Sequence, residues 1–485
     1  MLFHWPSSKD HRADAVLATC LFSVYLLFLP ANPLTSPDEE ILLRTSVSLL
    51  LGDRGAIPPL PMGFATKTGV DGREYAQYGL GLPLAGAPLL AMAKTASELS
   101  LGSRMEYSIT MIRAFRLCAV VFNLLVIVAS ALVLRRLLLQ LGIASHGSSI
   151  AALLFGTATV AWTHGRTFFT EPLAALCLLS SVAVLSKPQG IRAKHLLLAG
   201  ACFGWGILTR LDTLVAAPAI AWETARRAKG SFGTLKNWCL VALPVVLILA
   251  SITGYNYYRF GSIIRTGYED QTEGVRFATP VLVGLHGYLV TPGRSVFIYS
   301  PILLLALPGT LALWRRDSRF AVTVGLCVAG YLGIMSKWQN WAGGSDWGPR
   351  HIYQIIPWLA LAAAVWWFER PRRSKWIFVL LTVSIGVQML GLLTDPVQVI
   401  RDANLDFDVI GKQMSVYDPA QCTPVLHAKW LLNHPPNLLA IDLLKEGSPW
   451  ITLFLVPLCT LGLSIRFLIR WFREKDIAQR ATSTE

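Results

Sequence analysis

The chain has 485 residues, 53% of them hydrophobic, with a mean hydropathy of +0.50 and only 15% charged, against roughly a quarter in soluble proteins. That balance excludes a water-soluble enzyme and implies an all-α polytopic membrane protein. The net charge of +14 does not describe a nucleic-acid-binding face, because the basic residues fall in short runs between apolar segments, the pattern of cytoplasmic connections in membrane proteins.

More than half of the 43 Lys and Arg sit in connections at 9–12, 135–136, 187–194, 226–236, 315–319, 370–375 and in the tail from Arg466. These are expected on the cytoplasmic side together with both termini, which makes the protein a multi-pass component of a plasma membrane with its working face outward. Alternation then requires about twelve spans. They are expected near residues 15–30, 112–134, 149–163, 172–185, 195–209, 213–222, 238–257, 296–314, 321–336, 353–367, 376–394 and 449–467. The first of them lacks an A-x-A cleavage site and reads as an uncleaved span, not a signal peptide. The eight Cys form no CxxC pair and no disulfide framework, and no repeat points to a solenoid. Residues 1–485 therefore read as a single integral membrane domain with two long outward loops, 31–113 and 395–448, a length at which loops tend to be functional.

The first outward loop opens with Ser36-Pro37-Asp38-Glu39-Glu40. Ser at the N-cap, Pro at the first helical position and Glu three residues after the Ser predict a capped helix, lying along the membrane surface until Gly52. The three carboxylates complement the positive end of that helix. They also exceed what a cap requires, and they stand where a polar substrate meets a membrane-held one, so that one is free for acid/base work. Farther on, Tyr78-Gly79-Leu80-Gly81-Leu82-Pro83 leads into an apolar stretch to Ala93, which cannot cross without breaking the charge alternation and is expected to lie on the membrane or enter it halfway.

Cations at outward turns are candidates for a phosphate. Arg210 interrupts an apolar stretch, where an ionisable group is costly and functional by default; the alternative is a structural pair with Asp212. Arg350, Lys337 and Arg294 follow, each either a phosphate ligand or a lipid head-group contact. Glu171 opens a span in Thr170-Glu171-Pro172, as a site residue or as a helix-dipole partner. Trp338, Trp341 and Trp347 form either a stacking wall for a sugar or an interfacial belt. The histidines show no i, i+4 pair, which argues against zinc.

Taken together, the acids after the first span, the Tyr78-Gly79-Leu80-Gly81-x-Pro83 element, Arg166-x-x-x-x-Glu171-Pro172, and the run from Trp338 through Gly343-Gly344-Ser345-Asp346-Trp347 to Arg350-His351 resemble the GT-C superfamily. Within it, the chain is similar to bacterial relatives of protein O-mannosyltransferases and of the lipid A aminoarabinose transferase. It lacks the large soluble C-terminal domain and the appended carbohydrate-binding module that some members carry, which leaves a protein acceptor in doubt. The resemblance implies a GT-C helical bundle in a bacterial inner membrane and inverting transfer of a sugar from a polyprenyl-phosphate donor to an acceptor hydroxyl on a lipid, a polysaccharide or a protein. It makes Asp38 the base, with Glu39 as the neighbour that tunes or replaces it. The donor's phosphate or sugar falls to Arg210, Arg350, Lys337, Arg294, Glu171 and Tyr78. No cofactor is required, although Asp38 and Glu40 leave room for a divalent cation. Competing readings are a transporter or flippase of lipid-linked sugars, disfavoured by charges gathered at the outward edge and not at mid-membrane, and a polysaccharide polymerase or ligase.

Overall fold

A computed structural model describes residues 8–58, 65–101, 109–187, 191–226, 230–268, 277–369, 375–403 and 416–482. Its helices in chain order are α1 (Ser8–Leu27), α2 (Pro37–Leu51), α3 (Gly81–Leu101), α4 (Ile109–Gln140), α5 (Ser145–Thr157), α6 (Ala161–His164), α7 (Thr170–Leu185), α8 (Ala193–Thr209), α9 (Ala217–Ala225) and α10 (Gly230–Phe260). They continue with α11 (Val281–Leu289), α12 (Val296–Tyr299), α13 (Ala306–Arg316), α14 (Ser318–Lys337), α15 (Ile356–Phe368), α16 (Lys375–Leu393) and α17 (Pro396–Asp402). Three further helices, Thr423–Leu431, Leu439–Lys445 and Leu455–Thr482, close the chain.

The segments expected as spans are largely helical, with 149–163 broken between α5 and α6 and 15–30 running past the end of α1. Among the described residues six helices are long and apolar enough to cross a membrane, and Thr170–Leu185 and Ala193–Thr209 are shorter apolar ones. The protein is a multi-pass helical membrane protein. One large apolar cluster runs from α1 through α4, α5, α7 and α8 to α13, α14 and α15, and a second lies between α2, α3 and the first half of α4. Small residues let backbones approach, as is usual between membrane helices: a Cβ on Gly200 of α8 would meet the Val241 carbonyl of α10, and one on Gly309 of α13 would meet that of Ala362 in α15.

The first outward loop is more structured than expected. The capped helix forms as α2, with the Ser36 amide donating to Glu39 Oε2 at 3.2 Å. The loop also holds a small antiparallel sheet, β1 (Ala56–Ile57), β2 (Thr66–Thr68) and β3 (Glu74–Ala76), with β3 central and Tyr75 opposite both Ala56 and Lys67. These strands are too short for alternation to reveal them. The apolar stretch after Gly81 becomes α3, whose Leu82 and Leu90 are buried in the cluster shared with α2 and α4.

At the end of the bundle where α1 begins, Arg135 of α4 is wholly buried. Its Nη1 donates to Asp14 at 2.5 Å, its Nη2 to Asp10 at 3.2 Å and Ser145 Oγ at 2.7 Å, and its Nε to Ser149 Oγ at 2.8 Å. At the same end the buried Glu223 accepts from Ser186 Oγ, Thr323 Oγ1 and Arg226 Nε.

Candidate active site

The opposite end of the bundle gathers helix termini from distant parts of the chain. Asp38 lies in the first turn of α2 and is 9% exposed. Its Oδ1 accepts from the Tyr78 hydroxyl at 2.5 Å and its Oδ2 from Arg350 Nη1 at 2.7 Å. Tyr78 is brought there by its glycines: a Cβ on Gly79 would run into the Leu208 and Thr209 carbonyls, and one on Gly81 into Thr209, so this element seats directly on the last turn of α8. Arg350 follows the α14 to α15 loop, with its guanidinium 4.7 Å from the Phe169 ring centroid. Its Nε lies 3.0 Å from Asp346 Oδ2 and 3.8 Å from Glu171 Oε1.

Glu171, at the start of α7, is 2% exposed and accepts from Arg210 Nη1 at 2.6 Å. Arg210, just past α8, also grips Asp212, with its Nε 2.9 Å and its Nη2 2.6 Å from Oδ2. The expected pair of Arg210 and Asp212 thus exists, and Glu171 extends it. The result is a chain of charges, Asp38–Arg350–Glu171–Arg210–Asp212, with Asp346 joined to it at Arg350. Four carboxylates face two guanidiniums, and Tyr268 packs edge-on against Tyr78 with centroids 6.2 Å apart. Burial raises the carboxyl of Asp346 above the usual range, opposed by Arg350. Burial, with Asp38 beside it, also holds the Tyr78 phenol well up. Burying this many charges costs several kcal/mol per ion before pairing offsets it, which points to a use beyond stability.

Several sequence expectations are corrected here. Glu39 is turned away from the partners of Asp38: it is 4% exposed, its Oε2 takes the Ser36 amide and its Oε1 the Phe168 amide at 2.9 Å. Burial pushes its carboxyl up to about 8, against the two amide bonds, and the Asp38 charge still adds to the rise. Glu40 turns to Arg44 and Arg116 at 2.9 and 3.0 Å, so Asp38 and Glu40 do not converge on a cation. Among the described residues no three His, Cys, Asp or Glu side chains form a metal-type group.

Arg294 is buried and spends its Nη atoms on the carbonyls of Gly344, Asp346 and Gly348, so it braces the loop that carries Asp346 and Arg350. Lys337 is exposed at the end of α14, and among the described residues no contact joins it to the charged group. Trp341 and Trp347 are core residues, edge-on to Tyr288 and Tyr299, and form neither a sugar wall nor a belt. Sequence reasoning overlooked Asp346 and Tyr268. The four-residue spacing of Asp346 and Arg350 is a signal that was present, whereas Tyr268 carries none.

No protein family and no curated protein matches the chain. Among solved structures it is similar to ArnT from Cupriavidus metallidurans bound to undecaprenyl phosphate, at 15% identity over 96% of this chain and 76% of that one, with a TM-score of 0.44. The apo state of ArnT gives 14% identity over 87% and 77%, with a TM-score of 0.49. The archaeal oligosaccharyltransferase AglB from Archaeoglobus fulgidus, in complex with an inhibitory peptide and a dolichol-phosphate, gives 11% identity over 91% and 58%, with a TM-score of 0.45. Both proteins are members of the GT-C superfamily that the sequence motifs resemble.

Proposed function

We propose that this chain is a GT-C-type glycosyltransferase that moves a sugar from a polyprenyl-phosphate donor to an acceptor hydroxyl at the outward face of the membrane. The carrier would belong to the chemical class of the undecaprenyl phosphate bound to ArnT. The observation that carries the reading is the buried carboxylate of Asp38 at the outward end of the bundle, oriented through one oxygen by Tyr78 and through the other by Arg350. In the proposed reaction the acceptor hydroxyl oxygen attacks the anomeric carbon. The bond from that carbon to the phosphate oxygen breaks, and its electron pair leaves with the polyprenyl phosphate. The hydroxyl proton passes to Asp38, whose oxygens each keep a lone pair free for it.

Charge on the departing phosphate needs a cation that stays charged beside lipid. Arg210 is the proposed ligand: the donor phosphate replaces one of its two carboxylate partners, Glu171 or Asp212, both within 2.6 Å of its nitrogens. Arg350 stays with Asp38, and Arg294 and Glu39 are positioning residues. The test is release of undecaprenyl phosphate by the purified protein from a panel of undecaprenyl-phosphate sugars, followed by mass spectrometry. Consumption of one donor in an acceptor-dependent manner is expected. No release across the panel, with any acceptor fraction of the cell envelope, would count against the reading.

A further inference from the structure

A second feature lies behind the charged cluster. A cleft opens between the turn that follows α1, the α6 to α7 turn and the corner between α16 and α17. It shares Glu39, Phe169 and Asp346 with the surroundings of Asp38. Among the described residues four buried side chains on its wall, at 2 to 8% exposure, each keep one polar atom without a hydrogen-bond partner, His164 Nε2, Arg166 Nε, Trp347 Nε1 and Asp346 Oδ2; the last is ion-paired with Arg350, which leaves the first three. Such an atom costs about 1–3 kcal/mol when nothing satisfies it, and three on one cleft point to a ligand.

The chemistry of the three atoms defines that ligand. Arg166 is fixed by its Nη atoms on the carbonyls of Leu392 and Asn437, which leaves Nε–H as a donor. Trp347 has its ring against Tyr299, His427 and Gly391, which leaves its N–H and not its face. His164 Nδ1 lies 2.9 Å from the Val160 carbonyl, which can only accept, so Nδ1 carries the hydrogen and Nε2 offers a lone pair. Burial holds this imidazole neutral, with its pKa down to about 4. Two donors and one acceptor belong to residues of one cleft, and a group that both accepts and donates is a hydroxyl. Burial keeps Glu39 protonated, and of the other charged groups on the wall Asp346 and Asp395 stand against the one guanidinium of Arg166, with Asp346 also paired to Arg350.

We propose that this cleft is the acceptor site and that the acceptor is a neutral, hydroxyl-rich glycan, held by Arg166, His164 and Trp347. The assignment rests on the glycosyl-transfer reading above and adds the acceptor's chemical class to it. Phosphate-bearing and uronic-acid acceptors are disfavoured by the carboxylates of Asp346 and Asp395.

The test uses the full chain in lipid nanodiscs and saturation-transfer NMR. The probes are methyl glycosides of glucose, galactose, mannose and N-acetylglucosamine, with glycerol 3-phosphate and methyl glucuronide as anionic comparators. At least one neutral glycoside should receive saturation, and the anions should not. Trp347→Phe removes the N–H together with the five-membered ring but keeps an aromatic side chain, and His164→Phe keeps a ring against Tyr353. Either variant, with the parent's melting temperature, should weaken that glycoside about tenfold, the scale of one buried hydrogen bond.

Binding by none of the neutral glycosides, preference for an anion, or parental binding in both variants would overturn the proposal. Undecaprenyl phosphate is titrated separately. If it binds and the glycosides do not, the acceptor assignment fails while the donor reading stands. If the glycosides bind and the lipid does not, the donor reading fails while the glycan site survives.

Discussion

The two ends of the bundle bury charge in different ways. At the end where α1 begins, Arg135 meets Asp10, Asp14 and two serine hydroxyls, and every nitrogen of its guanidinium donates. At the other end, four carboxylates share two guanidiniums, and the buried wall beside them keeps His164 Nε2, Arg166 Nε and Trp347 Nε1 without partners among the described residues. Both arrangements bear the cost of desolvation. A closed network offers a ligand nothing, and its return is a fixed helix packing. An open network leaves groups to be satisfied by something that arrives, which is what a working site requires.

The contrast sets an order of expected effects. Arg135→Leu removes the buried guanidinium that Asp10 and Asp14 share, and should cost about 3–5 kcal/mol of stability, as removal of one partner of a buried pair does. It should be read as a lower thermal-inactivation temperature, with normal turnover in the protein that remains folded. Lost turnover at undiminished stability would erase the distinction between the two ends. Arg210→Lys keeps the charge and loses the planar fork, so kcat/KM should fall about tenfold, chiefly through a higher donor KM. A folded variant with the parental donor KM would make the Arg210–Asp212 pair structural and the outward cluster more like the inward one.

A further effect, on stability and not on turnover, concerns Glu39, whose folded pKa of about 8 lies above its ordinary value of 4.5. The native state holds a proton that the unfolded chain releases, so stability is full below about 4.5 and declines as pH rises toward 8. Melting temperature should fall across that window in the parent and stay nearly level in Glu39→Gln. An equal slope in both proteins would mean that another group sets the pH dependence.

Much of this contrast was legible in the sequence at the level of elements. Apolar runs and charge alternation located the helices, because a membrane helix must satisfy its backbone within its own segment. Ser36, Pro37 and Glu39 announced α2, since a capping box is local. The same locality hid the rest. Glu39 and Asp38 are neighbours in sequence, yet a helix turns successive residues about 100° apart, so they serve different walls. Arg294 read as an outward cation because nothing near it in sequence reveals the three carbonyls of a loop some fifty residues away. Asp346 stood inside a quoted motif, but only its meeting with Arg350 gives it a part in the site.

The central claim is that the outward cluster exists to present the Asp38 carboxylate to a reacting hydroxyl. Purified Asp38→Asn, which keeps the shape of the side chain, should be compared with Glu39→Gln and Glu40→Gln for turnover of one polyprenyl-phosphate sugar, with donor binding and melting temperature measured on the same preparations. The account expects Asp38→Asn to bind donor and remain folded while kcat falls about 10²-fold or more, the scale of a lost general base, and expects the other two to retain most of theirs. Near-normal turnover in Asp38→Asn would contradict it.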